Sequence, residues 1–476
     1  MIIALLQSAA AQWVIDGPDI AFVEVPLAVP AAYPNIQLAL RADGTAFFIW
    51  EEVVPNATRT ELWGKKLSAA GIWSGTVALD DEDLDTTSPE NIQPASLLPT
   101  AGTPTWGTPV SYVRRTRTAC PTSCGLSLRQ IYLADSLTAW TAPPGSPLAL
   151  SVQTCVRVGL NQLLVESTFP APRYVTTWVR QGLLDECVDE NDPTWEQLDD
   201  LIANWNDAAA PYGTINKWDV ANDPTGVQDG EHHVSGTILG QDRSIAQVHD
   251  DWVTNPNSVA FVGWNRNAAG PEYTLAGRQP LSNGDLDCGG GECTARHGSI
   301  DSLSTGNGLF AAWIEEPDPD GTTALYFRQC PGSTLQCATI ATQWNPAIGV
   351  AANLIISVPV GQVANPEVVA VPTEDPYGVV FPTPMVFHER FDGVQWSLWV
   401  SSQLCLGLPG PPPPWTHVQI DPPLALQNQR LGIVQNGVAG VAVLAGDVRV
   451  VWTETYMVGL ETWQRIQTAS MPRPGC

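Results

Sequence analysis

Seven ionisable residues in this 476-residue chain follow short aromatic or β-branched runs: Glu52, Arg115, Arg180, Arg266, Glu315, Glu389 and Glu454. If the runs are strands, these residues lie at or near strand ends. Together they could form a mixed guanidinium and carboxylate rim able to hold an acidic sugar. Ordinary salt bridging at strand ends is the competing reading. Oxygen-rich loops come next. Glu315-Glu316-Pro317-Asp318-Pro319-Asp320-Gly321 gathers carboxylates around a glycine turn, with Asp318 and Asp320 as candidate calcium ligands. Asp80-Asp81-Glu82-Asp83-Leu84-Asp85 and Asp285-Leu286-Asp287 are of the same kind. None has the EF-hand spacing, and a solvated turn is the favoured reading of each, with calcium binding the alternative. Calcium is the one cofactor these loops suggest. His232 and His233 are sequence neighbours, which on a strand point to opposite faces and share no metal easily. No nucleophile elbow, zincin helix, P-loop or dinucleotide fingerprint occurs, so no catalytic residue is assigned.

The elements that position these residues repeat. Asn35-Ile36-Gln37-Leu38-Ala39-Leu40, a turn at Asp43-Gly44 and Phe47-Phe48-Ile49-Trp50-Glu51-Glu52 return near the end as Arg430-Leu431-Gly432-Ile433-Val434, a Gly-rich turn and Val448-Arg449-Val450-Val451-Trp452-Thr453-Glu454. First-strand anchors at Ile36, Ile92, Val152, Ile245, Ile300, Val368 and Leu431 define seven copies. Repeats of this length that read as strands predict an all-β, seven-bladed β-propeller of four-stranded antiparallel blades. The expected blades start near residues 33, 89, 150, 243, 298, 365 and 428, within a single domain of residues 13–476. Polar first-strand residues Gln37, Gln93 and Gln153 are candidates to line a central channel and, with Arg115, Arg180 and Arg266, to bind a ligand. Most of the 19 Trp are expected in the core, where aromatics bury large areas. Trp106, Trp205 and Trp218 fall outside the repeat and are candidates to stack on sugar rings.

Residues 196–243 read as a short helical and irregular insertion. Thr194 could cap a helix, Gln197 fits a capping box, and Leu198, Leu201, Ile202 and Trp205 share a face. Residues 12–30 read as one or two extra strands, one of which could pair with the last blade and close the ring.

Composition narrows the partners. Forty-nine acidic and 22 basic residues give a net charge of −27, which repels phosphate backbones and argues against nucleic acid. No apolar run is long enough for a membrane-spanning helix. The ten cysteines fall into close or flanking pairs: Cys120 with Cys124, Cys155 with Cys187, Cys288 with Cys293, Cys330 with Cys337, and Cys405 with Cys476. An even count with local pairing predicts disulfides, hence a secreted or cell-surface protein, with the periplasm as a further oxidising location. Zinc is the rival, but no pair is Cys-x-x-Cys. Residues 1–12 look like a signal-peptide remnant without its positive start.

The phrase Pro-x-Ile, Asp-Gly, Phe-x-x-Trp-x-Glu resembles the degenerate Asp-box-like repeats of secreted bacterial propellers related to the sialidase-like family, over about residues 33–470. Sialidases would imply an arginine triad, a Tyr/Glu pair, an Asp acid/base and complete Ser-x-Asp-x-Gly-x-Thr-Trp boxes. Here the Arg-Ile-Pro element is absent and Arg41-Ala42-Asp43-Gly44-Thr45 is a partial box, so the resemblance implies the fold and no catalytic residue. The expected function is a binding module for polysaccharide or a surface protein. A structural subunit of an extracellular assembly, and a glycoside hydrolase or polysaccharide lyase, are the alternatives.

Overall fold

The run Ile36-Gln37-Leu38-Ala39-Leu40 does not alternate strictly between apolar and polar residues, and as a strand it is buried at every position. Such a strand must be covered on both faces of its sheet. The computed structural model describes residues 14–15, 19–25, 36–41, 44–53, 60–80, 87–94, 108–116, 125–133, 148–149, 162–166, 173–180, 200–207, 216–219, 234–238, 244–251, 258–266, 273–282, 293–302, 308–317, 323–358, 362–374, 378, 380–393, 395–403, 413–421, 427–431, 435–436, 447–458 and 461–472.

The described strands fall into seven antiparallel sheets, six of them four-stranded. Sheet one is Ile36–Leu40, Ala46–Val53, Thr60–Leu67 and Val77–Asp80. Sheet two is Thr87–Pro94, Thr108–Thr116, Gly125–Leu133 and Leu148–Ala149. Sheet three is Gln162–Glu166, Arg173–Arg180, Asp200–Asp207 and Asn216–Asp219. Sheet four is Val234–Ile238, Ile245–Asp251, Ser258–Arg266 and Tyr273–Pro280. Sheet five is Cys293–Ser302, Leu309–Pro317, Ala324–Cys330 and Asn353–Ser357. Sheet six is Gln362–Glu374, Val380–Phe391, Trp396–Ser402 and Thr416–Gln419. Sheet seven joins Gln427–Leu431, Gln435–Asn436, Asp447–Val458 and Glu461–Pro472 to two strands from the other chain end, Val14–Ile15 and Ala21–Val25.

Each sheet packs against the next. Ala39, Phe47 and Ile49 of sheet one meet Val110 and Tyr112 of sheet two. Strand Gln162–Glu166 lies between sheets two and four. Val248 and Phe261 of sheet four meet Ile300 and Trp313 of sheet five, while Phe310 and Phe327 on the other face of sheet five meet Val368 and Val386 of sheet six. Val369 and Phe387 then meet Val450 and Trp452. The order returns to its start where Ile36, Leu38, Phe48 and Trp50 pack on Val451 and Ile466 of sheet seven. Fully burying each such side chain contributes roughly 1.5–3 kcal/mol, and sheets one, five, six and seven gain it on both faces.

The N-terminal strands supply the outer edge of sheet seven, as the extra strands at residues 12–30 led one to expect. Ala21–Val25 pairs in register with Thr462–Ile466, and Ile20 donates its N–H to the Ile466 carbonyl at 2.8 Å. Lys65 Nζ in sheet one donates to the Ile20 carbonyl, and Gln467 Nε2 to Asp19, at 3.1 Å each. The start of the chain is thereby bonded to both the first and the last sheet.

Two sequence expectations need correction. The helix expected after Thr194 is instead strand Asp200–Asp207, paired on both sides with Arg173–Arg180 and Asn216–Asp219. Leu201, Ala203 and Trp205 lie two apart, so the apolar positions fit a strand as well as a helix, and the gap between two neighbouring strands decides. In sheet four the expected first strand at Ile245 is the second. Val234–Ile238 takes first place beside sheet five, so Trp264 falls on the third strand. Among the described residues, first strands otherwise begin at 36, 87, 162, 293, 362 and 427, close to the expected starts except near 150.

Ile20 is 3% exposed where the two chain ends meet. Ile20→Ala is expected to cost about 2–4 kcal/mol, read as a lowered Tm and as earlier proteolysis of the first 25 residues. An unchanged melt would show that the N-terminal strands contribute nothing to closure.

Candidate functional site

The repeated Trp-x-Glu spacing turns out to be a device of the core. Residues two apart on a strand share a face, so Trp50 Nε1 donates to Glu52 Oε2 at 3.3 Å and Trp313 Nε1 to Glu315 Oε1 at 2.7 Å. Glu315 is fully buried, and burial raises the Glu52 pKa despite the indole donor. Trp452 and Glu454 keep the spacing, but that carboxylate pairs with Arg465 at 2.5 Å. Glu389 is also buried. The carboxylates expected on a sugar-binding rim are therefore largely enclosed; Glu52 and Glu315 satisfy indole donors, whereas Trp452 Nε1 is buried without a hydrogen-bond partner among the described residues. Trp264 departs from the pattern: Arg266 stands two positions on, and its indole donates to Gln247 Oε1 at 2.9 Å.

A second regularity lies on the first strands. Pairing skips two residues in sheets two, five, six and seven: Asn91-Ile92, His297-Gly298, Asn365-Pro366 and Asn428-Gln429. The leading residue is Asn three times and His once. His297 and Asn365 have φ of 54° and 48°, the left-handed region that Asn and His tolerate better than most residues. The Asn of the repeated phrase Asn91-Ile92-Gln93 occupies the same leading position of a bulge. Bulges re-aim side chains and concentrate beside binding sites.

Just past the bulge of sheet five, Ser299 and Asp301 reach across to sheet six. Ser299 Oγ accepts the Val368 N–H at 3.0 Å, and Asp301 Oδ2 accepts the Ala370 N–H at 2.8 Å. Beside them, Glu367 keeps some solvent contact as a residue while its carboxyl is enclosed. Burial first, then the Asp301 charge, pushes that carboxyl up to about 8, against the opposing Ser299 hydrogen bond. Glu367 therefore keeps its proton near neutral pH. Asn365 is exposed and His297 half-buried at the same edge.

The outer half of sheet six carries another polar group. Arg390 Nε donates to His388 Nε2 at 3.0 Å, and the guanidinium lies 4.1 Å from the Trp399 ring centre. Burial, then Arg390, pushes His388 down to about 3, so the imidazole is neutral. Ser401 Oγ bonds His417 Nδ1 at 2.8 Å, but Ser401 is fully buried and no carboxylate among the described residues bonds His417. That pair is not arranged as a nucleophile and base.

Gln37 lies on the first strand of sheet one. It is 8% exposed and shares a strand face with Ala39, which packs against sheet two. Gln93 is in register with Ser111, Arg115 with Leu126, Arg180 with Asp200, Arg266 with Tyr273 and Trp218 with Ala203. Arg266 ends a third strand and Arg115 and Arg180 end second strands, which run the opposite way, so one rim does not collect all three. Gln153, Trp106, Asp318 and Asp320 lie outside the described residues. Cys330 and Cys337 form the expected disulfide; the other four expected pairs are incomplete among the described residues. Sequence reading missed His297, Ser299, Asp301, Asn365 and Glu367. The available signal was the recurrent polar residue just before the first-strand anchor, seen at Ser299-Ile300 and Glu367-Val368.

No protein-family model matches the chain, and no curated protein is significantly similar to it. Among solved structures it is similar to a mutant NanB sialidase from Streptococcus pneumoniae, at 9% identity and TM-score 0.45 over 96% of this chain and 71% of that one. It is also similar to the six-bladed fucose-binding lectin of Aleuria aurantia, at 10% identity and TM-score 0.38 over 82% and 97% of the two chains. An α-L-arabinofuranosidase from Fusarium graminearum matches at 11% identity and TM-score 0.37 over 96% and 98%.

A carboxyl whose folded pKa is raised is stabilising below its unfolded pKa, and that contribution is lost as pH rises through the folded value. Glu367 should therefore erode stability between about pH 4.5 and 8. Glu367→Gln is expected to raise stability at pH 8 by at least about 1 kcal/mol and to flatten the profile across that window, measured by denaturant melts at several pH values. A parallel profile for the variant would overturn the assignment.

Proposed function

We propose that the seven sheets form a seven-bladed β-propeller that binds a neutral, hydroxyl-rich polysaccharide along its inner edge, and that the protein works in an oxidising compartment outside the cytoplasm. The cyclic order of sheet packing and the bonded chain ends support the architecture. The Cys330–Cys337 disulfide supports the compartment.

The observation that carries the ligand class is the inner-edge group of His297, Asn365, Asp301 and Glu367. It combines two left-handed bulge residues with the Asp301 carboxylate and the neighbouring Glu367 carboxyl, which burial and the Asp301 charge push up to about 8. Strained backbone at a polar edge is a pointer to function. Mixed donors and acceptors match sugar hydroxyls, and a net charge of −27 disfavours polyanionic ligands. Glu367 also favours a second reading, glycoside hydrolysis, because a carboxyl that keeps its proton near pH 7 suits a general acid. Calcium at Asp318 and Asp320 remains a proposal tested by the same experiment.

Glycine occupies left-handed φ freely, so His297→Gly and Asn365→Gly remove the side chains and keep the bulges. On a glycan array, wild type should bind neutral glycans and each variant at least tenfold less, with Tm unchanged. Binding lost in EDTA would place calcium at the site, and reducing-sugar release abolished by Glu367→Gln would select hydrolysis. Absence of both binding and turnover on every glycan would sink the reading.

A further inference from the structure

In a chain where charged side chains make up 15% of residues, the 38 residues from Gln329 to Pro366 contain none. No other uncharged run in the sequence is as long. Most of it forms a strap that leaves sheet five after Ala324–Cys330 and returns as the outer strand Asn353–Ser357.

The strap is held firmly. Its helix, Thr334–Thr339, opens with a capping box: Ser333 Oγ accepts from Gln336 N at 3.3 Å and Gln336 Oε1 from Ser333 N at 2.9 Å. Thr334 and Ala338, four apart and on one helix face, press onto Gly263, where an added Cβ would lie 2.9 Å from each. The Cys330–Cys337 disulfide closes the base of the strap, and Trp344 is buried with its indole donating to the Cys337 carbonyl at 2.8 Å. Arg328, fully buried, donates to four carbonyls: Leu281 at 2.8 Å, Pro346 at 2.6 Å, Ala347 at 2.9 Å and Val350 at 2.6 Å.

This fixed, uncharged segment exposes apolar side chains. Leu335 is 45%, Ile340 41%, Val350 55% and Leu354 49% exposed, nearly half of the large hydrophobics found exposed among the described residues. Leu354 lies on Asn353–Ser357, whose pairing among the described strands is to sheet five on one side only. Exposed apolar surface beside an open strand edge is a docking feature unless it is blunted, commonly by charge or Pro. The strand carries neither.

We propose that the strap and strand Asn353–Ser357 form a self-association surface whose occupant is a second copy of this chain, related by a two-fold axis. Two copies at −27 each repel strongly wherever their acidic surfaces meet. The strap is where close approach avoids that cost. An antiparallel edge strand can pair with its own symmetry mate, as a two-fold interface requires. A basic partner would instead be drawn to the acidic surface. The surface does not depend on the ligand site and would make the protein a dimeric binder.

The test is sedimentation velocity on the full chain up to on the order of 100 µM, where a specific interface of ordinary size should be populated. Wild type should approach twice 51.1 kDa with rising concentration, and added salt should strengthen the dimer by screening repulsion. Leu335→Lys and Leu354→Lys should each weaken dimerisation at least tenfold with Tm unchanged. Val14→Lys, at an exposed position on sheet seven, should leave it intact. A wild type that stays monomeric at the highest concentration, or a dimer insensitive to both strap variants, overturns the proposal.

Discussion

Every well-described sheet in this protein buries two faces, and each face needs a different neighbour. That constraint explains the sequence more fully than any single motif. Strands such as Ile36–Leu40 and Leu309–Pro317 read as apolar runs because neither face is wetted. A linear stack would leave its first and last sheets each with one bare face. Here sheet seven covers sheet one, and the N-terminal strands join its outer edge, so this contact satisfies the same need as the packing within the series. The chain ends are therefore structural parts, since Ile20 and Ala21–Val25 complete a sheet built from residues more than 400 positions away.

Enclosing both faces makes buried polar groups a recurring problem, and the chain answers part of it locally. Indoles fill the seams between sheets, and each buried N–H needs an acceptor. Placing Glu two positions after Trp puts the acceptor on the same face of the same strand, as at Trp313 and Glu315. The first strands face a related difficulty at the edge turned away from their partners. Ser299 and Asp301 answer it by capping N–H groups of the neighbouring first strand. Capping draws Asp301 close to Glu367, and mutual repulsion in an enclosed setting leaves a proton on the latter. The element that ties sheet five to sheet six thus also produces a strongly perturbed carboxyl.

The strap of sheet five follows a different logic. It is fixed by backbone carbonyls on Arg328, a disulfide and a buried Trp, none of which requires its outer surface to be apolar. The absence of charge from Gln329 to Pro366 is therefore a property of the surface as much as of the core. Surface charge elsewhere keeps copies apart, and its omission here marks where contact is tolerated.

The sequence alone determined the strand-rich class, the recurrence of units, the Cys330–Cys337 bond and the use of N-terminal strands, because each follows from local spacing that survives any tertiary arrangement. It also displayed Trp-x-Glu and the bulge Asn without revealing that Glu315 accepts from the Trp313 indole or that Asn365 takes a left-handed turn of backbone. Only the tertiary structure decided that Leu201, Ala203 and Trp205 belong to a strand and that Val234–Ile238 displaces Ile245 from first place. Short apolar spacings fit both periods, and the vacancy between neighbouring strands chooses between them. The grouping of Asp301 with Glu367 was likewise invisible in the chain. They lie 66 residues apart, on strands of different sheets, and meet only because those sheets share a seam.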